Sequence, residues 1–212
     1  MKKQFRYAFG EILIVIVGIT IAFSMNKCSE NANNKAQKEQ YFTNLKRDIE
    51  EDKKQLEANL EQITQKITLC TELLPIINSN AENKAARLQN IFSVAYITNF
   101  TPKDFTYQTL INSGDLKLID DFELKTAIEK HYSGYKDVLK AYERQELINK
   151  DYLGNYFIYH TDYDLVQEGK APFTDEKLLK NIMQSVRGSF MLKKRATETG
   201  IRSCDSILKL LQ

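Results

Sequence analysis

The chain has no tryptophan and is poor in proline and glycine, with 3 and 8 residues among 212. Sheet-rich and loop-rich proteins use these two residues to reverse the chain, so their scarcity argues against both classes. The chain is instead rich in Glu, Lys, Leu and Gln, which is the composition of long helices. It has no strand-like alternation and no internal repeat, so the sequence predicts an all-α protein.

Cysteine is scarce as well. Cys28, Cys70 and Cys204 form no C-x-x-C pair and have no histidine at ligand spacing, which argues against a zinc site. Two alternatives are open for Cys70 and Cys204. They form one bridge in an oxidising compartment, or they are buried thiols that behave as small apolar side chains, which we favour.

Two histidines are present, and neither lies in a known catalytic motif. His131 falls on the apolar face of a predicted helix, which favours a core residue. His160 with Asp162 and Asp164 could suggest a metal loop, but the glycine at the sixth position of a calcium loop is missing. A nucleophile elbow, a phosphate-binding glycine loop and an H-E-x-x-H motif are also missing. We therefore expect a non-enzymatic protein with no catalytic residue, cofactor or metal.

The formal net charge of +2 is concentrated at the N-terminus, where residues 1–27 hold four basic residues and one acidic residue. The rest of the chain shows no basic stripe with interleaved aromatic residues. This pattern argues against nucleic acid as a partner.

The segment from Ala8 to Met25, AFGEILIVIVGITIAFSM, is apolar apart from Glu11. As a helix it would reach about 27 Å, which is nearly the thickness of a hydrocarbon core. Three interpretations compete: a retained signal anchor, a signal peptide cleaved after the Ala-Phe-Ser at 22–24, and a lipoprotein acylated on Cys28. The residues before Cys28 are too large for a lipoprotein site, and the apolar run is long for a signal peptide, so we favour the anchor.

The distribution of basic residues indicates the orientation. Lys2, Lys3 and Arg6 precede the span, whereas the lysines after it are diluted by acids, so the positive-inside rule favours a cytoplasmic N-terminus. We expect a single-pass protein of a bacterial inner membrane. Residues 1–28 would form the cytoplasmic tip and the anchor, and residues 29–212 a helical bundle domain in the periplasm.

An apolar residue recurs every three or four positions from Phe42 to Leu74, which is the spacing of one helix face. Asp52 fills the one position without an apolar side chain, and Pro75 is expected to kink or end the helix. The pattern fits a coiled coil or a long bundle helix that packs against its own chain. Only about five heptads are present and more helices follow, so we favour the bundle helix.

Three further helix starts carry polar caps with flanking apolar residues, at Thr101-Pro102, at Asp120 and at Thr174. Each cap can accept hydrogen bonds from the first turn, and the acids nearby favour the positive end of the helix dipole. Gly114 is a predicted C-terminal stop.

Separate helices are also expected over 82–97 and 145–159, with a loop over 160–172. Gly188 and Gly200 are expected to weaken the middle of the last helix. Together these elements predict an antiparallel helical bundle with a long first helix, behind one N-terminal transmembrane helix.

Two stretches, YAFGEILIVIVGITIAFSMNK at 7–27 and TYQTLINSGDLKLIDDFELKTAIEKHY at 106–132, resemble an uncharacterised Bacteroidota family of small single-span membrane proteins. In that family a Tyr-Ala-Ile-Gly-Glu-like start leads into a Val/Ile-rich span. The chain departs from the family's Asn-Asn-Trp exit, because Asn26 is followed by Lys27 and Cys28. The resemblance covers the span, the long helix and the centre. It implies a membrane placement in a Gram-negative envelope and no assigned activity.

Two classes of function fit these features. The first is an accessory subunit that binds other envelope proteins through its long helix or its span. The second is a sensor-like bundle that binds a small ligand between its helices. A sensor that signals across a membrane needs a second span or a cytoplasmic output, and the sequence shows neither, so we favour the first class.

One face of the predicted span carries Glu11, Val15, Gly18, Ala22 and Met25. Small residues four apart let another helix backbone approach closely. A carboxylate in an apolar span tends to find a partner or a wet interface. The hypothesis is that this face packs on another transmembrane helix, from a second copy or a partner protein. The alternative is that Glu11 reaches the headgroup region and the face contacts lipid.

The anchor interpretation predicts that the protein stays in the membrane after carbonate extraction and keeps its initial Met-Lys-Lys. Mass spectrometry of the extracted protein checks this. A mature N-terminus at Met25 would show that the segment is a cleaved signal peptide.

Overall fold

The computed structural model describes the backbone of residues 2–211 and the side chains of residues 10, 11 and 13–211. Helices account for most of this part, as the composition predicts, and within it no strand forms. The one extended pairing is an isolated bridge between Thr161 and Phe173. The described elements are α1 (Lys2–Leu73), α2 (Lys84–Leu88), α3 (Ile91–Val94), α4 (Phe105–Ser113), a 3-10 turn (Asp115–Leu118), α5 (Phe122–Ile148), a π-helical segment (Asn149–Gly154), α6 (Asn155–Tyr159), α7 (Tyr163–Gln167) and α8 (Glu176–Leu210).

Helix α1 runs without a break from the apolar segment into the bundle, a length of about 108 Å for its 72 residues. The helix continues without interruption at residues 28 and 29, where the sequence predicts the boundary between the anchor and the bundle domain. The polar stretch from Ser29 to Lys35 contains no proline or glycine, so nothing in it interrupts the hydrogen-bond ladder. The helix ends just before Pro75, as predicted.

The apolar face of α1 forms one side of the core. Its fully buried side chains follow the predicted spacing and are Leu45, Ile49, Asp52, Leu56, Ile63 and Cys70. Helix α1 packs against its own chain through this face. The opposite side of α1 stays exposed.

Helix α8 lies against α1 and runs in the opposite direction. Lys53 contacts Asp205 at 2.7 Å, and three residues further along α1, Leu56 lies beside Gly200. The helices lie close together at position 200. A Cβ atom built there would lie 3.0 Å from Leu56 Cδ1 and 3.4 Å from Val138 Cγ2 of α5.

Helix α5 packs on the other side of α8, again in the opposite direction. His131 Nδ1 lies 2.8 Å from Ser203 Oγ, and Tyr142 OH lies 3.0 Å from Thr197 Oγ1. The three long helices α1, α5 and α8 therefore enclose the core, with Gly200 near its centre.

An extended strap, residues 96–104, fills the gap between α1 and α5. Phe100 is buried there, with its ring centroid 5.2 Å from that of Tyr135 and 6.1 Å from that of Tyr142. Four side chains bond to the strap and to the start of α4. From α1, Asn59 donates to the Asn99 carbonyl, Asp52 accepts from the Lys103 backbone N–H, and Asp48 accepts from the Thr106 hydroxyl. From α8, Lys193 donates to the Thr98 carbonyl.

The strap explains why the predicted helix start at Thr101-Pro102 is wrong. Asp52 accepts a hydrogen bond from the Lys103 backbone N–H at 2.8 Å, which keeps the chain extended up to Asp104. Helix α4 begins at Phe105, and Asp104 makes no side-chain capping bond. Phe105 is exposed and cannot act as an apolar staple.

The other two predicted starts are one residue off. Asp121 caps α5 by accepting from the N–H groups of Glu123 and Leu124, and Asp175 caps α8 by accepting from Leu178. Gly114 ends α4 with a φ of 73°, which confirms the predicted stop.

The predicted boundaries of three other segments need correction. The region 82–97 forms two short helices, α2 and α3. The helix predicted over 145–159 is no separate element, because α5 continues through the π-helical segment into α6. The predicted loop over 160–172 contains α7, which Asp162 caps. Gly188 and Gly200 do not interrupt α8.

No disulfide joins Cys70 and Cys204, which are both buried free thiols. Cys204 lies one residue before Asp205, which contacts Lys53. Cys70 lies 17 residues beyond Lys53 on α1, about 26 Å away along the helix. The bridge is excluded by this distance, and the buried-thiol interpretation is confirmed.

Replacing Gly200 by Leu should destabilise the protein by about 1–3 kcal/mol, because the new side chain overlaps Leu56 and Val138. Gly188→Leu is the matched control, since a Cβ atom on Gly188 meets nothing within 4 Å. This control should be neutral or stabilising by about 0.5–1 kcal/mol through helix propensity. Urea unfolding of the detergent-solubilised full chain measures both, and equal free energies of unfolding would contradict the packing described.

Candidate interaction site

The five residues of the predicted span face lie on one side of α1, and all of them are exposed. Val15 is 58% exposed and Met25 69%, and a Cβ atom on Gly18 would meet nothing within 4 Å. Glu11 and Ala22 are exposed as well. No other part of the described chain covers this face.

Residues 13–25 of the apolar segment are all exposed. Ile14 is 72% exposed and Phe23 67%, and none of the apolar window is buried within the protein. Core helices of soluble proteins bury such residues, whereas α1 leaves them to its surroundings. Helix α1 is long and apolar enough to span a membrane.

The continuity of α1 fixes the direction of the span face relative to the bundle. Eighteen residues make about five turns, so Gly18, Ala36 and Lys54 point the same way. Ala36 and Lys54 are exposed, and the buried Leu45 and Ile63 lie about 2.5 turns away, on the opposite side. The span face is therefore turned away from the bundle.

A polar layer crosses the core of the bundle. Lys193 is fully buried, and its Nζ donates to the Thr98 carbonyl at 2.6 Å and to Gln145 Oε1 at 2.9 Å. The ammonium lies 4.0 Å from the centre of the Tyr142 ring, within range of a cation–π interaction. Burial lowers the pKa of Lys193 to about 7, an effect that Glu146 partly opposes.

Asp52 is a second buried charged side chain, and it contacts the other end of the strap through the Lys103 backbone N–H. Burial raises its pKa to about 6, although the Lys103 backbone N–H favours the carboxylate. Its Oδ2 atom has no hydrogen-bond partner in the described structure. The carboxylate holds the strap through its other oxygen.

The contact between His131 and Ser203 resembles a nucleophile–base pair, but the surroundings do not support catalysis. His131 is 2% exposed, and burial lowers the pKa of its imidazole to about 4, which makes it a weak base at neutral pH. Its Nε2 atom has no partner, so no carboxylate orients the ring. His131 lies in the core, as its position on the apolar face predicts.

His160 has a structural environment as well. Its ring stacks on Tyr156 with centroids 5.0 Å apart, and Asp162 caps α7. In the part of the chain that the structure describes, no three His, Cys, Asp or Glu residues cluster in a way that could hold a metal ion.

Sequence reasoning does not predict most of these buried polar groups. Asp52 is visible in the sequence only as a gap in the apolar seam of α1, and no motif marks Lys193. A signal was present, because Lys193 falls three residues after Phe190 and four before Thr197, on the buried face of α8. A lysine on such a face indicates a buried cation that needs partners.

The chain matches the model of one protein family over residues 11–154, and this model is described as a family of unknown function (DUF6090). The match begins in the span and ends with the π-helical segment, so α8 lies outside it. Neither the curated proteins nor the solved structures contain a match.

The burial of Lys193 predicts a pH-dependent stability. The ordinary pKa of lysine is 10.5, so Lys193 is protonated in the unfolded state between pH 7 and pH 8.5. In the folded state it loses its proton over the same range. Stability should therefore rise across this window, by at most about 2 kcal/mol. The window stops at pH 8.5 because burial raises the pKa of Cys70 and Cys204, which makes stability fall with pH above the ordinary pKa of a thiol.

Lys193→Met should abolish this rise, and Lys177→Met, an exposed change on the same helix, should retain it. Urea unfolding of the full chain in detergent, followed by near-ultraviolet circular dichroism of the buried tyrosines, gives the free energies. A slope in Lys193→Met equal to that of the unmodified protein would show that another group titrates.

Proposed function

The chain belongs to the DUF6090 family, a family of unknown function, and on this premise we propose that it is a non-enzymatic accessory subunit of an envelope complex, anchored in the membrane by α1. Its role is to bind another membrane protein and to hold the helical bundle at a fixed position above that partner. The observation that carries this proposal is the unbroken course of α1 from the exposed apolar segment to Leu73.

The continuous helix supports a role as a rigid stalk. The first hydrogen bonds between α1 and another element are made by Gln37, with Asp115 at 2.8 Å, and by Lys38, with Asp120 at 3.0 Å. Gln37 lies twelve positions after Met25, which corresponds to about 18 Å of helix. The bundle is therefore held at this distance from the end of the apolar segment.

The span face supplies the contact with the partner. Gly18 and Ala22 leave the helix backbone accessible to a neighbouring helix. Glu11 is costly to expose to hydrocarbon, and a polar or basic group on the partner would lower that cost. Because the face points away from the bundle, a partner span can pack there without contacting the core.

The polar groups of the bundle support a binding role over a catalytic one. Burial shifts the pKa values of Lys193, Asp52 and His131, and each of these side chains is at most 2% exposed. Their hydrogen bonds join α8, the strap and α5. They hold the elements of the fold together.

We place the protein in a bacterial inner membrane with its bundle in the periplasm. The support is the basic N-terminal side of the span, since Lys2, Lys3 and Arg6 favour retention in the cytoplasm. This placement puts the stalk and the bundle in the space where envelope complexes assemble.

The span face can be tested by paired substitutions. Gly18→Leu with Ala22→Leu should weaken the assembly, because larger side chains separate the packed helices. Changing Ile14 and Ile21 to Leu should leave the assembly intact, since both lie largely outside the face. Crosslinking in native membranes and native mass spectrometry report the assembly, and an identical result for both pairs would mean that the face contacts only lipid.

A further inference from the structure

Helices α5 and α8 form an open groove on the side of the bundle away from the strap. The groove holds two depressions, of about 660 Å³ and about 690 Å³. The first lies at the end of the bundle nearer the span, between Gly134 of α5 and Ser203 of α8, and the second lies further out, between Leu147 and Gly188. The strap fills the gap between α1 and α5, but nothing in the described chain fills this groove.

The shape of the groove suits the binding of a helix. The groove is open above two glycines, because Cβ atoms on Gly134 and Gly188 would meet nothing within 4 Å. Apolar side chains stand along its length: Leu147 is 54% exposed, Leu192 45% and Leu210 53%. Helix α5 is 27 residues long, about 40 Å, so the groove can accept a partner helix of several turns.

The charges of the groove are predominantly positive. Lys130, Arg144 and Arg202 line the two depressions, and Asp137 is the acidic residue among the lining side chains. None of these four residues forms an ion pair within the described structure. A ligand of the groove would therefore meet three cations that have no acidic neighbour in contact.

The same charges argue against a second copy of this chain. In a twofold dimer the same surface occurs on both sides of the interface. Two such grooves would bring Lys130, Arg144 and Arg202 of one copy towards those of the other, and like charges across an interface are unfavourable.

We propose that the α5–α8 groove binds an acidic amphipathic helix of another protein. The apolar side of that helix covers Leu147, Leu192 and Leu210, and its flanking carboxylates contact Lys130, Arg144 and Arg202. The bound helix occupies the position of a fourth helix beside α5 and α8. This inference rests on the proposed function, because it names the partner of the bundle that the span holds in place.

The test uses the full chain in detergent and two synthetic peptides of about seven turns. One carries leucine on one face and glutamate on its flanks, and the other has lysine at each glutamate position. Fluorescence anisotropy of the labelled peptides gives their affinities. The acidic peptide should bind at least about tenfold more tightly than the basic one, and the difference should shrink at high salt.

Variants locate the binding surface. Arg144→Glu with Arg202→Glu should weaken binding of the acidic peptide at least about tenfold and favour the basic peptide. Gly134→Trp with Gly188→Trp should block both depressions and weaken binding of either peptide. The control is Lys46→Glu with Lys54→Glu, which reverses two exposed charges on α1 and should change the affinity less than about twofold.

Three results would overturn the inference. The two peptides could bind equally, the groove variants could bind as tightly as the unmodified protein, or the full chain could form a dimer that Gly188→Trp abolishes. Urea unfolding of each variant shows whether a loss of binding reflects a loss of fold.

Native mass spectrometry of the protein from its own membrane separates this inference from the proposed function. If the assembly of the variant with Arg144→Glu and Arg202→Glu lacks one subunit that the unmodified protein retains, the groove proposal is supported. An unchanged assembly overturns the groove and leaves the proposed function standing. A monomer in the unmodified protein contradicts the proposed function, and the groove proposal with it.

Discussion

The packing of α8 against the buried face of α1 determines where every other element of the bundle can lie. The packing is tight at Gly200, where a Cβ atom would lie 3.0 Å from Leu56 Cδ1 and 3.4 Å from Val138 Cγ2, so a side chain there would have to displace both. Once α8 is placed, α5 follows through its own contacts with α8, and the strap enters the gap that remains between α1 and α5. Because the same α1 carries the apolar segment, the position of the bundle relative to that segment is set by one uninterrupted helix.

The buried polar layer holds this arrangement in a single register. Helices that pack only through apolar side chains could shift by one turn relative to each other with little loss of free energy. Lys193, in contrast, reaches its two acceptors, the Thr98 carbonyl and Gln145 Oε1, in only one register. The strap depends on buried polar groups as well, since Lys193 binds its Thr98 carbonyl and Asp52 binds its Lys103 N–H. Burying a lysine and an aspartate is costly, so their hydrogen bonds indicate specificity more than stability.

Sequence reasoning predicts the parts of this fold that depend on local periodicity. The seam from Phe42 to Leu74 is regular, so the packed face of α1 can be read from the sequence, and the acids near Asp121 and Asp175 indicate helix starts to within one residue. The strap cannot be predicted in this way, because its conformation depends on partners such as Lys193 and Thr98, which are 95 positions apart. The span face can be predicted because a helix period defines it, but its direction relative to the bundle depends on the absence of a bend after Met25.

The central claim is that span, stalk and bundle share one continuous helix, and a distance measurement tests it directly. Cys28 is exposed and can carry a spin label, whereas burial raises the pKa of Cys70 to about 12 and of Cys204 to about 11, which protects both thiols from labelling. A second label at an exposed site, introduced as Lys54→Cys, lies 26 residues along α1. Pulsed electron resonance of the full chain in a lipid bilayer should give a narrow distribution centred near about 39 Å. A broad distribution with shorter distances would show a bend in the polar stretch after Cys28, and would contradict the rigid stalk.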